Sequence, residues 1–506
     1  MRIQAWKILC GALVVGIAGD SLLRGGEWRA GHALWILGII ACLHIIGGNP
    51  GTERRTMLIG LGLAAFGLVW RDAPMLHVID VLSVLSMGAL ITWHGTGREL
   101  AQLNVVEAVR AGLLAALNSL GGAAGVMQRA ADEHDGEIVA SRHVKPLVIG
   151  AALALPPFVL VASLLASSDA VFHSVLDRVI SALSVGSISH VAVVLLLAWP
   201  AAGWLRAALG DAMDLPVRDI RSPHLAFTSV AVGLYALIAL LTLFVATQAR
   251  VLFGGATFLR ETQNLSVAVY AREGFFQLIV ASGIVLGTLV VAEWLMSRED
   301  AAGLRKYRTA GTVLIGLVAM LLVSAVTRIW LYVSEFGLST DRSFATAAIV
   351  LVFALLATFG ATTLRARTEA LGPATLGVLV AWVAALNVVN PEALVVRVNA
   401  ARAARGHAFD VAYHATLSAD ALPALLRAAP ALSPGDCSAL GTALRQRWTR
   451  RTGEAGAAVG DWRSRNLPLV RAARWSATGR VDCAPQPHAA AEPVRATLAV
   501  SARATP

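Results

Sequence analysis

The sequence predicts an all-α fold: a polytopic transmembrane helical bundle of about eleven spans, with amphipathic surface helices and a small, mainly helical C-terminal tail. Three observations lead there. Roughly eleven long apolar runs fill the chain up to residue 390, and nothing after it continues the pattern. Charged residues make up only 15% of the chain, against about 25% in a soluble domain. Mean hydropathy is +0.67.

A span needs about 20 mostly apolar residues, because the hydrocarbon core is about 30 Å thick and a helix rises about 1.5 Å per residue. Inside lipid every backbone N–H and C=O must bond within the protein, so only helices and closed barrels cross. The runs are too long for barrel strands and do not alternate. In order, they are 8–23, 30–46, 57–70, 74–93, 144–165, 190–205, 225–247, 275–295, 312–332, 344–364 and 371–389. The first and third are the weakest, and without one of them the tail would change sides. The start of the chain reads as a first span and not a cleaved signal, since Asp20 and Arg24 follow it without a small-residue cleavage pattern. The adjacent Pro156 and Pro157 should kink the fifth run. No internal repeat is visible.

Loop charge sets the expected orientation. With the N-terminus in the cytoplasm, Lys and Arg number about 18 on inside segments and about 8 on outside loops. This favours a cytoplasmic N-terminus and an external tail; in a bacterial inner (cytoplasmic) membrane the tail would then face the periplasm or cell exterior. Two further segments have helical apolar faces. In 103–120, Leu103, Val106, Leu113, Leu117 and Leu120 share one face, and in 171–183, Phe172, Val175, Leu176, Val179 and Leu183 do.

The tail is expected to begin near residue 392, giving a transmembrane domain over 1–391, a helical tail over 392–483 and a disordered, Ala/Pro-rich end over 484–506. Helices are expected at 421–429, with Asp420 as N-cap, and at 440–451, separated by a Pro434–Gly435 turn. Trp448, Trp462 and Trp475 supply bulk for a small core. Cys437 and Cys483 form a disulfide if the tail faces an oxidising compartment; otherwise they are two unpaired thiols.

Polar residues inside spans are functional candidates by default, at about 2.5–3.5 kcal/mol each on insertion scales. Asp20, Asp80, Arg328 and the loop residues Arg272 and Glu273, with Gln277 just inside the eighth span, form a polar layer toward the outer side. Asp80 lies about two turns inside its span, where an acid must be protonated, paired or watered. Arg328 either joins that layer or snorkels beside Trp330 and Tyr332. The plain alternative for most of them is an interfacial residue or a salt-bridged loop.

Four stretches carry a resemblance: Tyr270 to Leu278 (YAREGFFQL), Leu165 to Phe172 (LASSDAVF), Arg328 to Tyr332 with Phe336 to Arg342, and Asn390 to Asn399 followed by Asp410, Tyr413 and Leu417 to Pro423. Together they resemble an uncharacterised bacterial membrane family, domain of unknown function 4173 and its 4153 relatives. The resemblance implies fold and location but no activity.

Composition and motifs restrict function. The net charge of +10 is spread over loops and tail, so nucleic acid is not an expected partner. No HExxH, GxSxG or paired-acid motif occurs, and no Cys or His spacing suggests a metal or cofactor. The expected function is a non-enzymatic envelope sensor or scaffold, with membrane lipid and envelope proteins as partners and its oligomeric state open. The alternative is a secondary transporter or lipid-handling carrier using the outer polar layer.

Overall fold

The computed structural model describes residues 5–24, 28–133, 186–212, 225–263, 275–297, 299–454 and 461–483, with six positions between 161 and 175. The bundle is built from α1 (Ala5–Leu23), α2 (Ala30–Gly47), α3 (Thr52–Trp70), α4 (Pro74–His94), α5 (Val105–Glu133), α6 (Gly186–Arg206), α7 (Phe227–Gln263), α8 (Phe275–Leu295), α9 (Ala301–Phe336), α10 (Thr340–Thr362) and α11 (Leu371–Val389). The tail follows as α12 (Pro391–Ala403), α13 (Val411–Ala415), α14 (Leu422–Ala428), α15 (Pro434–Glu454) and α16 (Leu467–Thr478). Among the described residues the only β pairing is one isolated bridge, Leu225 with Met296. The protein is an all-α, multi-pass membrane bundle.

Nine helices among the described residues are long and apolar enough to cross a membrane. Of the two remaining apolar runs, one is α3, whose first turn carries Glu53, Arg54 and Arg55 and leaves a shorter apolar stretch from Met57. The other, 144–165, lies outside the described residues apart from two positions, as does most of 171–183.

Among the described residues two large apolar cores hold the bundle, with a small third cluster of Ala73, Leu76 and Leu386 where α4 meets α11. One joins α1 to α6 around Leu43, Leu68, Ile91 and Leu205. The other joins α7 to α10 around Leu289, Leu314, Val318 and Phe359. α11 packs against α10, α3 and α4 and so bridges them. α1 and α6 approach closely at Gly16, where a Cβ would meet the Val194 carbonyl.

The apolar stripe of α5 could lie on the bilayer or on other spans, and in the structure most of it faces outward. Leu113, Leu117 and Leu120 face outward, while Arg110, Ala111, Leu114 and Asn118 turn toward the bundle. Leu113, Leu117 and Leu120 thus form the outer side, whereas Leu103, just before α5, packs against the bundle core. The packed side is chosen by polar partners: Trp93 Nε1 donates to Glu107 Oε2 (2.7 Å), Trp199 Nε1 to the Leu120 carbonyl (2.7 Å) and Arg206 Nη2 to Asn118 Oδ1 (3.3 Å).

The helix ends fall into two sets. The α2–α3 turn, the ends of α4 and α6 and the start of α11 meet at one end, where Glu53 accepts from the Leu100 N–H (3.0 Å). The α3–α4 and α9–α10 turns and the end of α11 meet at the other, and the tail docks there. The tail has its own core, in which Leu425, Leu440, Leu444 and Trp448 are buried. Trp475 packs against it, but Trp462 is exposed. Cys437 and Cys483 are joined by a disulfide with Cα atoms 5.8 Å apart. Pro434 opens α15 instead of ending a turn, with Ser433 accepting from the Asp436 N–H (3.1 Å).

His414 ties the tail to the α9–α10 turn. It is buried, stacked on Phe409 at 4.1 Å, with Nδ1 toward the Asp410 carbonyl (2.6 Å) and Nε2 toward Asn399 Nδ2 (3.0 Å). A neutral ring with its proton on Nδ1 satisfies both partners. Asn399 in turn pairs with both backbone groups of Leu338, each at 2.8 Å. Burial pushes the His414 pKa below its ordinary value, with Asp410 opposing. A depressed histidine contributes stability above the unfolded pKa of about 6.5 and loses it as pH falls through the folded value. Tail docking, followed by limited proteolysis, is expected to loosen as pH falls from 7.5 to 5. His414→Gln should flatten that dependence, and an unchanged slope would remove His414 as its cause.

Candidate functional site

The polar residues picked from the sequence separate into different neighbourhoods. Asp20, near the end of α1, pairs with Arg24 Nη2 (2.5 Å) and His190 Nδ1 of α6 (2.6 Å). Asp80 is fully buried in α4 and accepts from Asn387 Nδ2 of α11 (3.0 Å). Its second oxygen has no hydrogen-bond partner among the described residues. Gly67 makes room for that carboxyl, since a Cβ there would fall on it. Arg328 is buried near the end of α9, in the second half of the bundle, while Trp330 beside it is exposed, so Arg328 does not snorkel. Gln277 is exposed at the start of α8. Arg272 and Glu273 lie outside the described residues.

The densest described polar cluster is instead the junction of bundle and tail. The turn Arg71-Asp72-Ala73 between α3 and α4 and the segment Ser418-Ala419-Asp420 before α14 grip each other reciprocally. Asp420 Oδ2 accepts from the N–H groups of Asp72 (2.7 Å) and Ala73 (2.8 Å), and Asp72 Oδ2 accepts from Ala419 N (3.2 Å). Asp420 therefore holds the turn that leads into α4 and does not cap its own helix, α14, which has no side-chain cap. The exchange satisfies two buried N–H groups of the turn ahead of α4, where an unpaired donor costs about 1–3 kcal/mol.

Other residues complete the cluster. Asn466 donates to Asp72 Oδ1 (2.8 Å) and to the Arg71 carbonyl (3.1 Å). Arg29 Nη1 reaches the Ser464 carbonyl (2.9 Å) and Nη2 approaches Asp72 (3.7 Å). Asn390, in a left-handed conformation at φ 55°, caps α12 through Ala393 N (3.0 Å) and donates to the Asp420 carbonyl (3.1 Å). Glu392 holds both the N–H (2.8 Å) and the hydroxyl (2.5 Å) of Ser418. Burial pushes the Glu392 and Asp420 carboxyls above their ordinary values, and their hydrogen bonds oppose the shift.

Arg71 joins this cluster to the bundle. Its guanidinium approaches Asp420 Oδ1 (3.6 Å) and donates to the Asn387 (2.5 Å) and Val388 (3.3 Å) carbonyls at the end of α11. Beside it the junction opens into a polar groove of about 430 Å³ that also holds Arg397, Arg427 and Arg471. No group of three or more His, Cys, Asp or Glu with metal-binding geometry occurs among the described residues.

A family model described as domain of unknown function (DUF4153) matches residues 57–428. The chain belongs to this family. The matched segment runs from α3 to the last residue of α14, so Asp72, Asp80, Asn387, Glu392 and Asp420 all fall within the DUF4153 region. Arg29, Asn466 and the disulfide lie beyond it. No curated protein and no solved structure matches the chain.

Arg29, Arg71, Asp72 and Asn466 escape a sequence reading because each sits in a short polar turn that resembles any other loop. The available signal is the post-membrane motif, which holds Asn390, Glu392 and Asp420, the last reading locally as an ordinary N-cap.

Proposed function

We propose that this DUF4153 member is a non-enzymatic protein of a bacterial cytoplasmic membrane. It holds a small disulfide-linked domain on the external face and serves there as a scaffold or sensor for envelope partners. The reciprocal Asp72–Asp420 grip carries the reading, because it fixes the tail against the bundle end as one body. The grip turns a small domain into a rigid platform, and no catalytic motif accompanies it. Asp20 and Asp80 having separate partners favours this reading over a carrier with one shared polar cavity.

The test is thiol labelling in intact cells with a reagent that does not cross the inner membrane, in a Cys10→Ala/Cys42→Ala background. Labelling of Cys437 and Cys483 only after mild reduction is the expected result. Labelling that instead requires permeabilising the inner membrane would place the tail in the cytoplasm and overturn the external-platform reading.

A further inference from the structure

The arginine groove beside Asp420 continues into the membrane. A second groove, of about 520 Å³, runs between α3, α4 and α11, and the two share Val388. This second groove is apolar. Its walls include Leu63, Phe66, Leu82 and Val388, all at least half exposed and so turned toward the surrounding lipid. On α3 it extends from Trp70 to Gly60, about ten residues or about 15 Å at the helical rise. That is half of a hydrocarbon core of about 30 Å, the depth of one leaflet. Trp70 lines its mouth with the Arg71 guanidinium 5.6 Å from its ring, an arrangement suited to the membrane–water boundary.

Charge in the upper groove is unbalanced. Arg71, Arg397, Arg427 and Arg471 line it, and Asp420 is the one acid among the lining residues. Asp420 is occupied by the turn ahead of α4 and by Arg71. Arg397 and Arg427 bond backbone carbonyls of their own helices and the helix before, which leaves their positive charge uncompensated. Arginine holds phosphate oxygens through paired, charge-assisted hydrogen bonds.

We propose that these two grooves form one binding site for an anionic phospholipid. An acyl chain lies in the slot between α3, α4 and α11, and the headgroup phosphate sits among Arg71, Arg397, Arg427 and Arg471. The lipid bridges bundle and tail beside the Asp72–Asp420 grip. The inference rests on the membrane reading of the chain but not on which face is external or on a scaffold role, so thiol labelling can fail while this site stands.

The test uses the purified full-length protein in a non-ionic detergent, titrated with short-chain phosphatidylglycerol, short-chain phosphatidylcholine or inorganic phosphate and read by thermal unfolding. Phosphatidylglycerol is expected to raise the midpoint, with phosphatidylcholine at least about tenfold weaker. An Arg397→Gln/Arg427→Gln/Arg471→Gln variant, changed only at exposed positions, should bind at least about tenfold more weakly. Ala384→Trp, which fills the slot from an exposed position, should weaken the lipid response without lowering the lipid-free midpoint. Equal stabilisation by inorganic phosphate, insensitive to Ala384→Trp, would identify a soluble anion and overturn the lipid site. Equal responses to both lipids, or a lipid-free dimer that Ala384→Trp dissociates, would overturn it as well.

Discussion

Replacing Asp420 by Ala is expected to release the tail from the bundle. The substitution strips the turn ahead of α4 of its acceptor for two N–H groups and leaves the Arg71 guanidinium beside a void. Removing one partner of a buried ionic pair costs about 3–5 kcal/mol, because the remaining charge is stranded. The orphaned donors raise the cost further. Limited proteolysis in detergent reports it: cleavage between Asn390 and Ser418 should become fast in the variant while the spans stay protected. Asp420→Asn keeps one acceptor oxygen and should fall between wild type and Ala. A variant as resistant as wild type would show that the apolar contacts of α12 suffice to hold the tail.

Trp448→Ala is the second large effect. Trp448 is about 1% exposed and is the largest side chain buried in the tail core. Truncating a buried Trp costs about 3–5 kcal/mol through lost burial and the cavity left behind. A domain of fewer than about 100 residues has little more stability than that on its own. The tail should therefore unfold in the variant even with the Cys437–Cys483 disulfide intact, while the bundle keeps its helix content. The checks are loss of near-ultraviolet circular dichroism with far-ultraviolet signal largely retained, and early cleavage within α15. Retained protection of α15 would mean that docking, and not the local core, sustains the fold.

The two substitutions separate two sources of stability. Asp420 acts across the junction, and Trp448 acts within the tail. If the junction dominates, the double variant will be little worse than Asp420→Ala alone. If the two are independent, their effects will add, as distant sites usually do.

Much of this architecture is legible without coordinates. The apolar runs mark nine of the described spans because the requirement is local: a stretch long enough to cross the hydrocarbon must be apolar and must close its own hydrogen bonds. The helical tail and the depth of Asp80 in its span follow from the same local rules. The face of α5 does not, because Leu113, Leu117 and Leu120 are equally suited to lipid and to a protein core. The Glu107 and Asn118 partners that decide between them come from α4 and α6.

The same limit governs the junction. Asp420 has the local signature of a cap for α14, and its sequence neighbours contain nothing that points to α4. It binds the α3–α4 turn instead because that turn, far away in the chain, presents the Asp72 and Ala73 N–H groups at the place where the tail lands. The membrane class, most of the spans and the existence of a helical tail are local properties, set by the periodicity and transfer energy of contiguous residues. The Asp72–Asp420 exchange and the meeting of Arg71, Arg397, Arg427 and Arg471 emerge only in three dimensions. Both depend on directional hydrogen bonds and unbalanced charges between the α3–α4 turn and a tail far away in the chain, which no local pattern records.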